Sequence, residues 1–312
     1  MADISRAEVA TLIEEGYSHS LLAAAKQGST VLSAFQNVNM GTKTTHLPVL
    51  ATLPEADWVG ESATDPEGVI KTSKVTWANR TLVAEEVAVI IPVPEAVIDD
   101  ATVELLTEVA EQGGQAIGKK LDQAVMFGID KPASWVSPAL LKAATDAGQA
   151  IAHVSGVANE YDLVGASNKV AEQVALAGWA PDTLLSSLAL RYQVANVRDA
   201  DGNLAFRDGS FLGFNTHFNR NGAWSPESAV AFIADSSRVK IGVRQDITVK
   251  FLDQATLGTG DNQINLAERD MVALRLKARF AYVLGVSATA MGANKTPVGV
   301  VTPDVTPPTS GE

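Results

Sequence analysis

The residue patterns that could carry chemistry are few, and each has a simpler structural reading. Gly113-Gly114-Gln115-Ala116-Ile117-Gly118-Lys119 has the glycine and lysine spacing of a phosphate-binding loop, but Lys120 stands where Ser or Thr should hold magnesium. Such a loop follows a strand and opens a helix, so that free amides cradle the phosphates. Here the surrounding apolar spacing places it inside a long helix whose amides are already bonded. Gly258-Thr259-Gly260 lacks the third glycine of a dinucleotide fingerprint. No G-x-S-x-G elbow exists, so His153 and His217 read as ordinary packed or surface residues rather than triad members. Asp99-Asp100 have the proximity of paired catalytic carboxylates, yet the start of a helix gives them a sufficient structural job. Asn79-Arg80-Thr81 and Asn294-Lys295-Thr296 match glycosylation acceptors, which carry no meaning without a secretory signal. With no cysteine in 312 residues, disulfides, thiol nucleophiles and cysteine-ligated metals are excluded. The four histidines, His19, His46, His153 and His217, never approach ligand spacing. The expectation is a protein with no catalytic site, no metal and no cofactor.

The charge pattern narrows the partners. Lysine plus arginine number 24 against 36 acids, a net charge of −12. The excess is concentrated: residues 46–130 carry five basic and fifteen acidic side chains, whereas residues 131–312 are nearly balanced at 16 and 17. Nucleic-acid binding needs a basic stripe that displaces counterions from phosphates, and the only clustering of arginines lies between Arg269 and Arg279. Apolar residues at 46% with 19% charged supply a core for one large or two ordinary domains. There is no run of 18 apolar residues, and the first residues lack the basic-then-apolar pattern of a secretory signal. A cytoplasmic product without membrane contact is expected.

Elements that would position these residues can be read in order. Residues 5–27 have helical apolar spacing, with Ser5 and Glu8 at capping-box separation. Residues 28–45, rich in Ser, Thr, Asn and Gly, read as irregular or extended chain. Two β segments follow, Val69–Trp77 and Leu82–Ile91, the pattern resetting near Asn79-Arg80. Their acidic lead-in is too polar for a core hairpin and must project. Asp99 or Asp100 caps a long helix to Phe127, closed by Gly128. About 28 residues at 1.5 Å each make a rod of roughly 42 Å, and Gly113-Gly114 in its middle predicts a bend or close packing. Pro132, Pro138 and Gly156 mark a transition. A helix from Asn159 to Gly178, the buried strand Asp182–Ser187 and a second helix through Leu190 come next. Strands are expected at 229–234, 238–244 and 246–252. In Met271–Leu284, Val272, Leu274, Leu276, Ala278, Phe280 and Tyr282 alternate with Arg275, Lys277 and Arg279. This is a strand with a basic face that needs solvent or an acidic neighbour. The proline- and threonine-rich last twenty residues read as a disordered tail.

This order of parts resembles the tailed-bacteriophage major capsid protein of the Hong Kong 97 fold, the phage capsid family. Trp58-Val59-Gly60-Glu61, Pro66 and the β run to Trp77 resemble the family's extended loop. Pro94-Glu95 and Val97-Ile98-Asp99-Asp100-Ala101 look like the start of its spine helix, and Asp182–Ser187 followed by Asp201-Gly202-Asn203 is similar to its axial domain and loop. The similarity spans about residues 30–290, carried by the order and spacing of the motifs.

The resemblance implies an α+β capsid fold with the following organisation. Residues 1–53 would be an N-terminal arm and lead-in, 54–83 an extended β loop, and 84–156 a peripheral domain with spine helix 99–127. Residues 157–265 would be an axial α/β domain, 266–290 a peripheral return strand and 291–312 a disordered tail. It further implies self-assembly into pentamers, hexamers and an icosahedral shell around double-stranded DNA, bound without sequence specificity. A portal protein, a separate scaffold protein and a decoration protein are the implied partners, with assembly in the host bacterial cytoplasm. Extended-loop contacts would come from Glu55, Asp57, Trp58, Glu61, Asp65, Lys71, Lys74, Trp77 and Arg80. Axial contacts would come from Arg198, Asp199, Asp201, Asn203, Arg207 and Asp208. Acids of the extended loop would meet the basic face Arg269, Arg275, Lys277 and Arg279 of an adjacent chain. Some relatives join subunits through lysine–asparagine crosslinks; Lys71 and Lys74 read as solvated charges instead. An encapsulin-like nanocompartment shell and a cytoplasmic α/β enzyme without a recognisable motif are the competing readings.

Overall fold

The computed structural model describes residues 28–54, 73, 75–100, 105–154, 162–195, 197, 211–258, 263–285 and 295–303. Ser29 caps a short helix, α1 (Thr30–Ala34), accepting from Leu32 N, and β1 (Gln36–Asn39) follows. Of the stretch read as irregular or extended chain, Gln36–Asn39 is extended and Thr30–Ala34 is helical instead. β2 (Thr44–Thr52) and β3 (Thr76–Val83) form an antiparallel hairpin, and β4 (Glu85–Pro94) continues beyond Ala84. The break between β3 and β4 falls at Ala84, not at Asn79-Arg80, because both of those residues sit in register inside the hairpin. Residues 1–27 lie outside the described residues, and with them Ser5 and the N-terminal helical spacing.

Asp99 and Asp100, expected to cap the long helix, themselves lie in a helical segment, α2 (Glu95–Asp100). α3 (Leu105–Asp122) runs unbroken across Gly113-Gly114 and ends in one π turn, Gln123–Phe127. Gly128, in the left-handed region at φ 76°, donates its amide to the Gln123 carbonyl and stops the helix. Gly113 serves close packing rather than a bend. A Cβ at Gly113 would come within 2.9 Å of Leu276 and 3.3 Å of Ile91. Ala110, Ile117, Leu121, Ala124 and Val125 are buried at helical spacing, and each large apolar side chain so removed from water contributes roughly 1.5–3 kcal/mol.

The rest of the chain supplies two sheets. α4 (Leu140–Asp146) and β5 (Ala150–Ala152) lead to α5 (Leu163–Leu176), capped by Asp162 through the Gly165 amide at 2.7 Å. β6 (Thr183–Ser187), α6 (Leu188–Ala195), β7 (Asn215–Asn219) and β8 (Ala231–Ala234) follow. β9 (Val239–Leu252) is one 14-residue strand where two had been expected. β10 (Thr256–Leu257) and β11 (Ile264–Asn265) make a small pair before β12 (Met271–Leu284) and β13 (Val298–Thr302).

The long sheet has the order β1-β9-β12-β4 and packs on α3; the five-stranded sheet has the order β5-β13-β8-β6-β7. Sheet membership cuts across the expected boundaries. β9 lies in the long sheet with β12, while β5 and β13 join the sheet of β6–β8. The expectation of a disordered tail fails at its first half. Val298, Gly299, Val300 and Val301 are buried between β5 and β8, since β-branched residues in a run bury on both faces of a central strand. On β12 the alternation holds as read: Leu274, Leu276, Ala278, Phe280 and Tyr282 face the core. Past Phe280 the opposite face is covered too, with Ala281 and Val283 packed under Met40, Leu82 and Ala84 at the hairpin root.

Candidate intersubunit surfaces

The hairpin β2–β3 pairs Thr44 with Val83 through Leu50 with Trp77 and has no third strand among the described residues. A two-stranded ribbon is marginal in water by itself. Only its root is buried, so its outer part needs a neighbour. Trp77 is 65% exposed, and Leu53 and Val75 are exposed beside it. Between the hairpin and the end of the long sheet lies a groove of about 460 Å³ lined by Leu47, Pro48, Trp77, Arg80, Arg238 and Lys240. Two expected contact residues, Trp77 and Arg80, thus meet at one surface. Glu55, Asp57, Trp58, Glu61, Asp65, Lys71 and Lys74 lie outside the described residues.

The basic face of β12 differs from expectation in where its acid comes from. Glu86 of β4, opposite Arg279 in the register, receives Lys277 Nζ at 2.9 Å and the Arg279 guanidinium at 3.0 Å. Hydrogen bonds from Lys277 and then Arg279 hold the Glu86 carboxyl below the usual glutamate range. An acidic partner within the same chain already serves these two cations. Arg275 is different. Its cross-strand neighbours are Ile90 on β4 and Lys250 on β9, and among the described residues it has no acidic partner. Two like charges directly opposite one another on a sheet are unfavourable. Arg269 sits off the strand, on the helical turn Ala267–Arg269 before it. The axial-loop residues Arg198, Asp199, Asp201, Asn203, Arg207 and Asp208 lie outside the described residues.

Sequence reasoning missed a polar knot behind these surfaces. Asp122 is fully buried at the end of α3. Its carboxylate accepts from Ser29 Oγ (2.6 Å), Thr30 N (2.9 Å), Val31 N (3.1 Å), Asn221 Nδ2 (2.8 Å) and Asn219 Nδ2 (3.2 Å). Asn221 also donates to the Gly28 carbonyl. Burial pushes the Asp122 carboxyl up, against the opposing pull of Ser29, Thr30, Asn221 and Val31. The knot joins the start of the described chain, the spine helix and the segment after β7. A signal was present: an acid in the last turn of a helix opposes the macrodipole, which asks for compensating donors.

Nothing in this arrangement assembles a reaction centre among the described residues. Gly113–Lys120 lies within α3. His46 meets Thr81 Oγ1 at 3.1 Å and His153 Nδ1 the Thr302 carbonyl at 3.2 Å. Burial pushes the His217 imidazole down, with Asp182 opposing. Among the described residues no three His, Asp or Glu side chains converge as a metal site, and no helix is long and apolar enough to cross a membrane.

Comparison with known proteins matches residues 10–290 to the phage capsid family. A solved structure from Mycobacterium phage Cain is 92% identical, covering 98% of this chain and 100% of that one with a TM-score of 0.82. One from Mycobacterium phage Bobi is 70% identical over 97% and 99% of the two chains, with a TM-score of 0.80. The fold extends further: a capsid of an empty GTA particle computed with C5 symmetry shares 13% identity and a TM-score of 0.59 over 89% and 90%. No curated protein matches the chain.

Proposed function

The chain belongs to the phage capsid family, and from that membership we propose how its copies hold one another in the head shell. It is a major capsid protein of a bacteriophage, a structural component of the virion. In our reading the acidic stretch 55–67 of one subunit, with five acids and no lysine or arginine, lies over the long sheet of a neighbour. It supplies the carboxylates that Arg275 and Lys250 lack. The observation that carries this is the cross-strand pairing of those two cations, which is unfavourable in an isolated subunit and favourable once an acidic segment covers it. Trp77, standing out from the hairpin, is the aromatic anchor of the same contact, since desolvated tryptophan dominates interface energetics.

In the same reading, which rests on the family, the copies form pentamers and hexamers through the five-stranded sheet and residues 198–208, joined through the long sheets. A portal protein, a separate scaffold and a decoration protein complete the set of partners, and assembly takes place in the host cytoplasm. A net charge of −12 suits a wall that double-stranded DNA slides over without adhering. The test is a charge-reversal pair. The variant carrying Arg275→Glu and Lys250→Glu should stay folded but fail to assemble, as read by light scattering. Adding Glu55→Lys, Asp57→Lys and Glu61→Lys to it should restore assembly. Unimpaired shells from the first variant would refute the contact.

A further inference from the structure

The turn after the spine helix carries an unusual side chain. Val136 is 85% exposed between Trp135 and Ser137, which are almost completely buried. The backbone around it is fastened on all sides. Lys131 Nζ donates to the carbonyls on either side of the valine, those of Trp135 and, at 3.0 Å, Ser137. Trp135 Nε1 donates to the Val83 carbonyl (3.0 Å), Ser137 Oγ accepts from Leu284 N (3.1 Å), and Tyr282 donates to the Pro138 carbonyl (3.0 Å). Lys131 is also partly desolvated for this task, and burial pushes its ammonium down. A half-buried lysine spent on two carbonyls holds an isopropyl group in water, which an isolated subunit has no use for.

The same turn lines a cleft of about 160 Å³ whose apolar wall is Val87, Leu121, Ala124, Pro132, Trp135 and Phe280. Its rim is acidic, with Glu85, Glu86 and Asp130 against Lys120. Glu86 is engaged by Lys277 and Arg279 and Asp130 by Lys120, while Glu85 has no ion-pair partner among the described residues. Around the knob lie Arg80 and Lys295, and Asp146, which is paired with Lys142.

We propose that Val136 is a docking knob that seats in the cleft between β4 and α3 of a second copy of this chain, with Lys295 of the first copy facing Glu85 of the second. The occupant is a second copy because one turn brings both halves of the contact: every subunit carries the knob, with Lys295 near it, and the cleft, with the unpaired Glu85 on its rim. A foreign partner would have to supply both complements. Rigid presentation removes the ordering cost that a flexible loop would impose on association. The contact rests on the shell reading above but is separate from the one made by residues 55–67.

The absence of native cysteine makes a direct test available. Chains carrying Val136→Cys are mixed with tagged chains carrying Ala124→Cys on the cleft floor, or Glu85→Cys on its rim. They are assembled, oxidised and separated on a non-reducing gel. A hetero-linked band of tagged and untagged chains is expected from at least one pairing in assembled shells. Shells that form normally and give no such band from either pairing overturn the proposal. Val136→Asp gives the second readout: the concentration needed for assembly should rise at least ten-fold with the thermal melt unchanged, and an unchanged threshold counts against the knob. The unsubstituted chain, assembled in parallel, separates loss of this contact from a general failure to assemble.

Discussion

Asp122 shows how one side chain can hold three elements. Five donors converge on a fully buried carboxylate, and removing it strands all of them out of water. Each unsatisfied buried group costs about 1–3 kcal/mol. Asp122→Ala should therefore destabilise the chain by about 3–5 kcal/mol, seen as a lowered melting temperature. Asp122→Asn should cost about 2 kcal/mol or more, because its amide turns a donor toward donors. A small loss for either variant would mean that the knot is dispensable. Glu86 makes the opposite kind of prediction. Its folded carboxyl titrates below the ordinary glutamate value of 4.5, so its contribution is present above that pH and lost as pH falls through the lower folded value. The stability gap between wild type and Glu86→Gln should be constant at neutral pH and close on acidification; a gap that widens in acid would contradict the pairing. Of these residues, Arg275, Lys277 and Arg279 were legible from alternation alone. Glu86 was not chosen as their partner, because strand register between segments nearly two hundred residues apart is not written in local spacing.

At the scale of elements, the sequence was most readable where periodicity is long and uninterrupted. The spine helix through Gly128 and the β12 alternation hold because each buries a continuous apolar face. It was least readable where composition and placement disagree. Pro297 and Pro303 flank Val298–Thr302, and proline-rich surroundings suggested disorder. Yet proline just outside a strand only forbids ladder bonds there, and Val298–Val301 between them are apolar enough to fill the middle of a sheet. Gly299 fits under α5, where a Cβ would run into Val170 and come within 3.2 Å of Val174. Gly299→Ala should cost about 1–3 kcal/mol through overpacking, and truncation before Val298 should prevent folding, because β8 and β5 lose the strand between them. Circular dichroism of the truncated chain decides this. Native-like spectra and cooperative melting would contradict a central role for β13. The division of the two sheets was illegible for the same reason: β5 and β13, separated by almost 150 residues, meet only through topology.

The whole molecule is a subunit whose outward features make sense in company. A hairpin with one buried end, a cationic pair without an acid, an exposed tryptophan and a stapled valine each leave something unfinished in a lone chain. The family membership explains why: copies of the chain complete one another in the head shell. In the proposed contact, the acidity concentrated in residues 46–130 supplies one half of the charge complementarity and the long sheet the other. The most direct measurement is an electron cryomicroscopy map of assembled shells at side-chain resolution. The account predicts the acidic segment 55–67 of a neighbouring copy lying over Arg275 and Lys250. A map in which those two residues face solvent, or are covered by their own subunit's segment, would contradict it.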